Sequence, residues 1–170
     1  MKKITLIIAI LVTSVATVGL TGCSGYSQGW PYRDDVQTIS VKMFDTKSFR
    51  RDHEYSLSDA ICKQIEVQTP YRIIADDNIA DTQLSGYINS MSGSVLATDR
   101  ESGMALEDEV RVSVTFTWKN LKTGEMIIDS KVVTGVASHA DLLNQSYDYA
   151  ADVAMNQVAV KIVESMETPW

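Results

Sequence analysis

From Glu109 to Lys119 the chain alternates strictly. Val110, Val112, Val114, Phe116 and Trp118 fall on one side, Arg111, Ser113, Thr115 and Thr117 on the other. A period of two predicts a strand with one buried and one polar face. Asn120 to Gly124 reads as a hairpin loop. Glu125 to Ala137 then returns with Ile127, Ile128, Val132, Val133 and Val136, an antiparallel neighbour joined by a short connection. Thr82 to Val95 predicts a further strand, with Leu84 and Ile88 on one face and Gln83, Ser85 and Tyr87 on the other. Gly86 and Gly93 within it predict a bulge or bend. Thr38 to Met43 alternates as a half-buried strand, and Tyr71 to Ile74 is a short extended run. Phe44 to His53 and the polar stretch Leu96 to Asp108 read as connections.

Two segments follow the helical period instead. In Glu54 to Gln68, Leu57, Ile61 and Ile65 recur every four residues, and Thr69-Pro70 stops the run because the residue before proline leaves the helical region. In Asn144 to Glu167 the stripe is Tyr147, Ala151, Ala154, Val158 and Ile162, widened by Ala150, Met155 and Ala159. Strands with one polar face need helices on the other face only. The order therefore predicts an α+β fold: a two-layer sandwich of a mainly antiparallel sheet, about four strands, with two helices on one face.

The N-terminus follows different rules. Met1-Lys2-Lys3 is positive and Ile4 to Leu20 is nearly all apolar, the layout of a secretory signal. The run is also about long enough to span a bilayer as a permanent anchor. Leu20-Thr21-Gly22-Cys23 directly after it resembles the lipobox of bacterial lipoproteins and favours cleavage. That resemblance implies residues 1–22 as a signal peptide, a lipid on Cys23, and an anchor of more than one acyl chain, each buried methylene contributing ~0.8 kcal/mol. Ser24 rather than Asp after the cysteine implies sorting to the outer membrane, facing the periplasm. Residues 23–35 read as a polar tether and 36–170 as the domain. Within the tether, Tyr26, Trp30 and Tyr32 either meet the membrane interface or a partner, or cover a sheet edge.

Removal of Lys2 and Lys3 with the leader leaves 13 basic residues against 22 acidic ones, a net charge of −9. That excludes nucleic acid as a partner, because phosphate binding needs positive charge. If Cys23 carries lipid, Cys62 has no disulfide partner and is expected to act as a small core residue on the first helix. No nucleophile elbow, P-loop or zinc-protease motif is present, and His53 and Cys62 lie nine positions apart on opposite helix faces. His53 and His139 are expected in exposed loops. Asp76-Asp77-Asn78 with Asp81 lacks the glycine and closing glutamate of a calcium loop and reads as a solvated turn. No enzyme activity, cofactor or metal is expected. Arg100, in an inter-strand loop, reads either as an ordinary surface charge or as a cation that meets an anionic ligand.

The assembled pieces resemble the lipopolysaccharide-assembly lipoprotein LptE family. The resemblance is carried by Cys23-Ser24-Gly25-Tyr26, the strand Ile39 to Phe44 followed by Asp45 to Arg51, the helix Leu57 to Ile65, and Thr69-Pro70-Tyr71-Arg72. Ala80-Asp81-Thr82-Gln83-Leu84-Ser85-Gly86-Tyr87-Ile88 and Thr123-Gly124-Glu125 complete it. It implies the same two-layer sandwich and a palmitate-bearing outer-membrane lipoprotein. It further implies a role as plug and assembly partner of an LptD-like β-barrel that inserts lipopolysaccharide into the outer leaflet. Arg100 matches a loop in which the family's lipopolysaccharide-contacting cations lie, whereas Ser138-His139-Ala140-Asp141 offers none. The same features also fit a membrane-anchored regulatory module of a cell-wall enzyme or a secretion channel.

Overall fold

The computed structural model describes residues 31–47 and 53–168. The signal peptide, Cys23, Tyr26, Trp30 and Arg50-Arg51 lie outside them. The elements run β1 (Thr38–Val41), β2 (Asp45–Thr46), α1 (His53–Gln68), β3 (Arg72–Ile73), β4 (Thr82–Thr98), β5 (Ala105–Asn120), β6 (Met126–His139), a 3₁₀ turn (Asp141–Leu143) and α2 (Tyr147–Glu164). The sheet order is β3-β1-β4-β5-β6, with β2 also on β4. The long β4–β5–β6 meander is antiparallel, while β1 pairs parallel with β3 and β4, and β2 parallel with β4. The expected α+β sandwich is present, with six strands instead of about four. The added strands are two-residue pieces too short to show a period.

Alternation decides which face is covered. Val110, Val112, Val114, Phe116 and Trp118 are all buried, as are Leu84 and Ile88 of β4 and Val133 and Ala137 of β6. Each large side chain so covered contributes roughly 1.5–3 kcal/mol relative to exposure. Leu57, Ile61 and Ile65 from α1 and Ala154, Val158 and Ile162 from α2 join them in one core. Helix α1 ends where Thr69 turns its amide and hydroxyl back to the Ile65 carbonyl, at 3.0 and 2.7 Å. Helix α2 begins at Ser146, whose hydroxyl accepts the Tyr149 amide at 3.2 Å.

Two glycines permit contacts that no side chain would. At Gly135 on β6 a Cβ would overlap the Ala154 carbonyl oxygen, so α2 lies directly on the strand. At Gly86 on β4 a Cβ would overlap the edge of the Phe44 ring and the Thr115 carbonyl oxygen. The chain leaves β4 after Lys42 N–H donates to Leu84 O, drops Phe44 over Gly86, and rejoins when Lys47 N–H donates to Ile88 O. Neither Gly86 nor Gly93 forms the expected bulge. The register shifts fall between Ile88 and Ser90 and around Ala97, and Gly93 faces the Tyr147 ring at ordinary contact distance.

The stretch Leu96 to Asp108 is a further correction. Most of it is paired strand: Val95 opposes Asp108, Ala97 opposes Glu107, and Thr98 opposes Ala105. This part of the hairpin projects past the helices, so neither face is buried and no period of two is imposed. Its turn is tied by Asp99, whose carboxylate accepts the amides of Glu101 and Ser102 at 2.9 and 2.7 Å, with Gly103 at φ +70. The β5–β6 turn repeats the device with Asn120, which accepts from Lys122 and Thr123, and Gly124 at φ +77.

Gly135→Ala is expected to destabilise the domain by about 1–3 kcal/mol through forced separation of α2 from β6. Gly93→Ala, whose Cβ would meet the Tyr147 ring at an ordinary 3.5 Å, should leave the melting temperature nearly unchanged. Thermal melts followed by circular dichroism compare the two.

Candidate interaction surfaces

The helices leave one sheet face bare; on β4 and β5 it is largely polar, and β6 adds the exposed Val132 to it. Ser85 and Thr117 oppose each other across β4 and β5, as do Tyr87 and Thr115, and Gln83 and Lys119. Asn89 donates to the Thr115 hydroxyl at 2.8 Å, and the Lys47 ammonium lies 3.6 Å from the centre of the Tyr87 ring. Lys47 and the Thr115 hydroxyl both lower the Tyr87 phenol from its ordinary value. The face is thus hydrogen-bonded within itself and presents hydroxyl and amide groups outward.

At the free margin of the sheet, α2 guards β6. Lys161 Nζ donates to the Thr134 carbonyl at 2.5 Å, and the Gln157 side-chain oxygen accepts the Val136 amide at 3.2 Å. These groups would otherwise pair with a foreign strand. Gln157 and Lys161 stand one turn apart, a spacing readable in the sequence only once α2 is known to lie on an edge strand.

Arg100 sits exposed at the tip of the β4–β5 hairpin, immediately after the Asp99 that ties the turn. On the same hairpin Val95, Leu96 and Met104, and in the loop before α2 Leu142 and Leu143, are all more than half exposed. Leu106 and Leu142, with Asp99, Ser102, Met104 and Ala105, line a groove of about 610 Å³. The hairpin therefore combines one cation with an apolar lip. The lip was hidden in the sequence, where these residues are interspersed with charges. The loop before α2 brings Leu142 to this groove and carries no lysine or arginine.

Other candidates turn out to be structural. Both histidines are buried, not exposed: His53 opens α1, and His139 ends β6 with Nδ1 3.2 Å from the Asp108 carbonyl oxygen and its ring edge-on to Tyr147. Strand pairing runs farther at this end than the sequence shows, and it draws His139 in. Cys62 is half-buried; burial first, then the charges of Asp59 and Glu66, push its thiol up, opposite to an activated nucleophile. Among the described residues no group of three His, Cys, Asp or Glu side chains is arranged to hold a metal. Tyr32 is buried edge-on against Tyr71, which continues to Trp118, so this tether aromatic covers the sandwich end.

The acidic turn is only partly solvated. Asp76 is exposed, but Asp77 pairs with Lys42 and accepts from the Ser40 hydroxyl at 2.5 Å. Asp81 is buried: it pairs with Lys122 and accepts the amides of Gln37 and Thr38, each at 2.9 Å, while its own amide donates to the Thr38 hydroxyl at 2.8 Å. It thereby clasps β1, β4 and the β5–β6 turn. The Lys122 ammonium, then the backbone amides, hold the Asp81 carboxyl well below its ordinary value, and Lys42 and Ser40 hold Asp77 at about 2.

No family model and no curated protein matches the chain. Solved structures do. An uncharacterized lipoprotein B from Nitrosomonas europaea aligns with TM-score 0.55 and 9% identity over 82% of this chain and 90% of that one. PelC from Paraburkholderia phytofirmans, a dodecamer, aligns with TM-score 0.52 and 15% identity over 83% of this chain and 96% of that one. The chain is similar to both in fold.

Because both folded-state carboxyls are depressed, their contribution is complete above the ordinary carboxyl value of 3.8 and is lost as pH falls, through about 2 for Asp77 and lower for Asp81. Melts between neutral pH and about pH 2 should show this acid decline. Asp81→Asn, which keeps an oxygen to accept the Gln37 and Thr38 amides but not the charge, should flatten it while lowering stability at neutral pH.

Proposed function

We propose that this chain is a lipid-anchored outer-membrane lipoprotein of the LptE type, the plug and assembly partner of an LptD-like β-barrel that delivers lipopolysaccharide to the outer leaflet. The observation that carries the reading is the bare sheet face of Ser85, Thr117, Gln83 and Asn89. A barrel lumen is polar and wet, and a partner seated in it needs a rigid surface of hydroxyl and amide groups. The lipobox at Cys23, the sequence resemblance and a fold shared with a lipoprotein B support the same reading. The role requires no catalytic group. Arg100 and the apolar lip are the place where an anionic, acylated lipid is met.

A second reading takes up the secretion-channel alternative of the sequence together with the fold likeness to PelC, a dodecamer. In it the chain is an anchored accessory of a secretion channel and assembles with its own copies.

Mild-detergent extraction of the full-length protein from its native membranes, with Cys23→Ala as control, separates the two. Recovery of an equimolar β-barrel supports the plug. A ring of this chain alone, or a cell-wall enzyme in place of the barrel, contradicts it. In the recovered complex, Arg100→Glu should weaken lipopolysaccharide binding by about tenfold, the loss of roughly one charge-assisted hydrogen bond.

A further inference from the structure

The two long margins of the sheet are finished differently. On β6, Lys161 and Gln157 engage the outer backbone at Thr134 and Val136. β4 is an interior strand over only part of its length. On its side away from β5, among the described residues, β1 pairs with residues 82–84 and β2 with residues 87–88. Beyond Ile88 the strand runs on to Thr98 with β5 alone beside it. Residues 90–98 therefore present an open strand edge about 30 Å long.

Open edges are ordinarily blunted by a lysine, a proline or a covering segment. β4 has no charged residue and no proline anywhere along Thr82–Thr98. Ser92, Gly93, Ser94, Val95 and Leu96 are all exposed. Its register shifts lie between Ile88 and Ser90 and around Ala97, so the stretch between them is regular. That composition limits what can pair with it. Elsewhere an acidic chain repels its own copies, but here two copies meet with no like charges opposed. Pairing of β4 with the β6 of another copy would run head to tail, and Lys161 and Gln157 stand in its way. Pairing of β4 with β4 uses the same edge twice and closes at two copies.

We propose that residues 90–98 pair antiparallel with the same residues of a second copy of this chain, about a two-fold axis beside Ser94, the middle of the stretch. Gly93 of one copy then opposes Val95 of the other. Gly93 lies on the helix side of the sheet, across from the buried Val110, and its missing side chain leaves room beside the Tyr147 ring. Val95, 57% exposed in the single chain, gains cover there. The axis stands perpendicular to the sheet, so the helices of both copies share one side. The two bare faces join on the other side and stay open. The pairing goes beyond the barrel reading and does not depend on it.

The test is sedimentation velocity of the full-length protein in mild detergent over a range of concentrations. The unaltered chain should sediment as two copies. Ser94→Lys sets two ammonium groups at the axis, while within each chain the new lysine faces Glu109 across β4 and β5. It should raise the dissociation constant by about tenfold or more with the circular-dichroism melt unchanged. A second readout locates the axis. In a Cys62→Ala background, Ser94→Cys should give a disulfide-linked dimer under copper–phenanthroline oxidation, and Ser85→Cys on the same strand should not. The Cys62→Ala parent alone reports any free thiol at Cys23, so a failure of lipidation is not mistaken for pairing. A single copy at every concentration, assembly unchanged by Ser94→Lys, a ring of more than two copies, or crosslinking from Ser94→Cys no greater than from Ser85→Cys each overturns the proposal. Recovery of a barrel is scored separately and leaves these outcomes unchanged.

Discussion

Gly135 and the Ala154 carbonyl oxygen lie so close that no Cβ fits between strand and helix. Much else in the sandwich depends on that approach. It seats the alanine-rich stripe of α2 on the meander, and Ala150, Ala151, Ala154 and Ala159 are all buried there without forcing the layers apart. It also brings Gln157 and Lys161 within reach of the edge of β6. One margin of the sheet is then guarded, at Thr134 and Val136, by the same helix that covers the core. With both helices committed to one face, the other face must be soluble by composition, and Ser85, Thr117 and Asn89 make it so.

What was legible in the sequence was whatever a buried face imposes. β5 declared itself because five consecutive inward positions are large and apolar, and α1 because Leu57, Ile61 and Ile65 must share one side. The helix stop at Thr69-Pro70 was equally local. Features set by contacts across the chain were not legible. The outer part of the β4–β5 hairpin has no covered face and so carried no alternation. Asp81 looked like a turn carboxylate because its partners, Thr38 and Lys122, are some forty residues away on either side. Gly86 reads locally as a bulge or bend, whereas its lack of a Cβ admits Phe44. The histidines looked exposed because nothing local shows that His139 stays paired with the β5 strand.

The candidate surfaces divide in the same way. Arg100 could be named from its loop, but the apolar lip around it needed the hairpin's projection and the placement of Leu142. The two ends of β5 thus differ in chemistry. One is a tip with a free cation and apolar side chains, and the other, near the start of the described chain, is closed by Tyr32, Tyr71 and Trp118.

The most direct test is photocrosslinking in living cells from Thr117, on the bare sheet face. A photoreactive amino acid is placed there in the full-length protein, and the adducts are identified by mass spectrometry. The account predicts a covalent adduct with the lumen-facing residues of an outer-membrane β-barrel. It is contradicted if the protein reaches the outer membrane and Thr117 captures no barrel, or captures only other copies of the same chain.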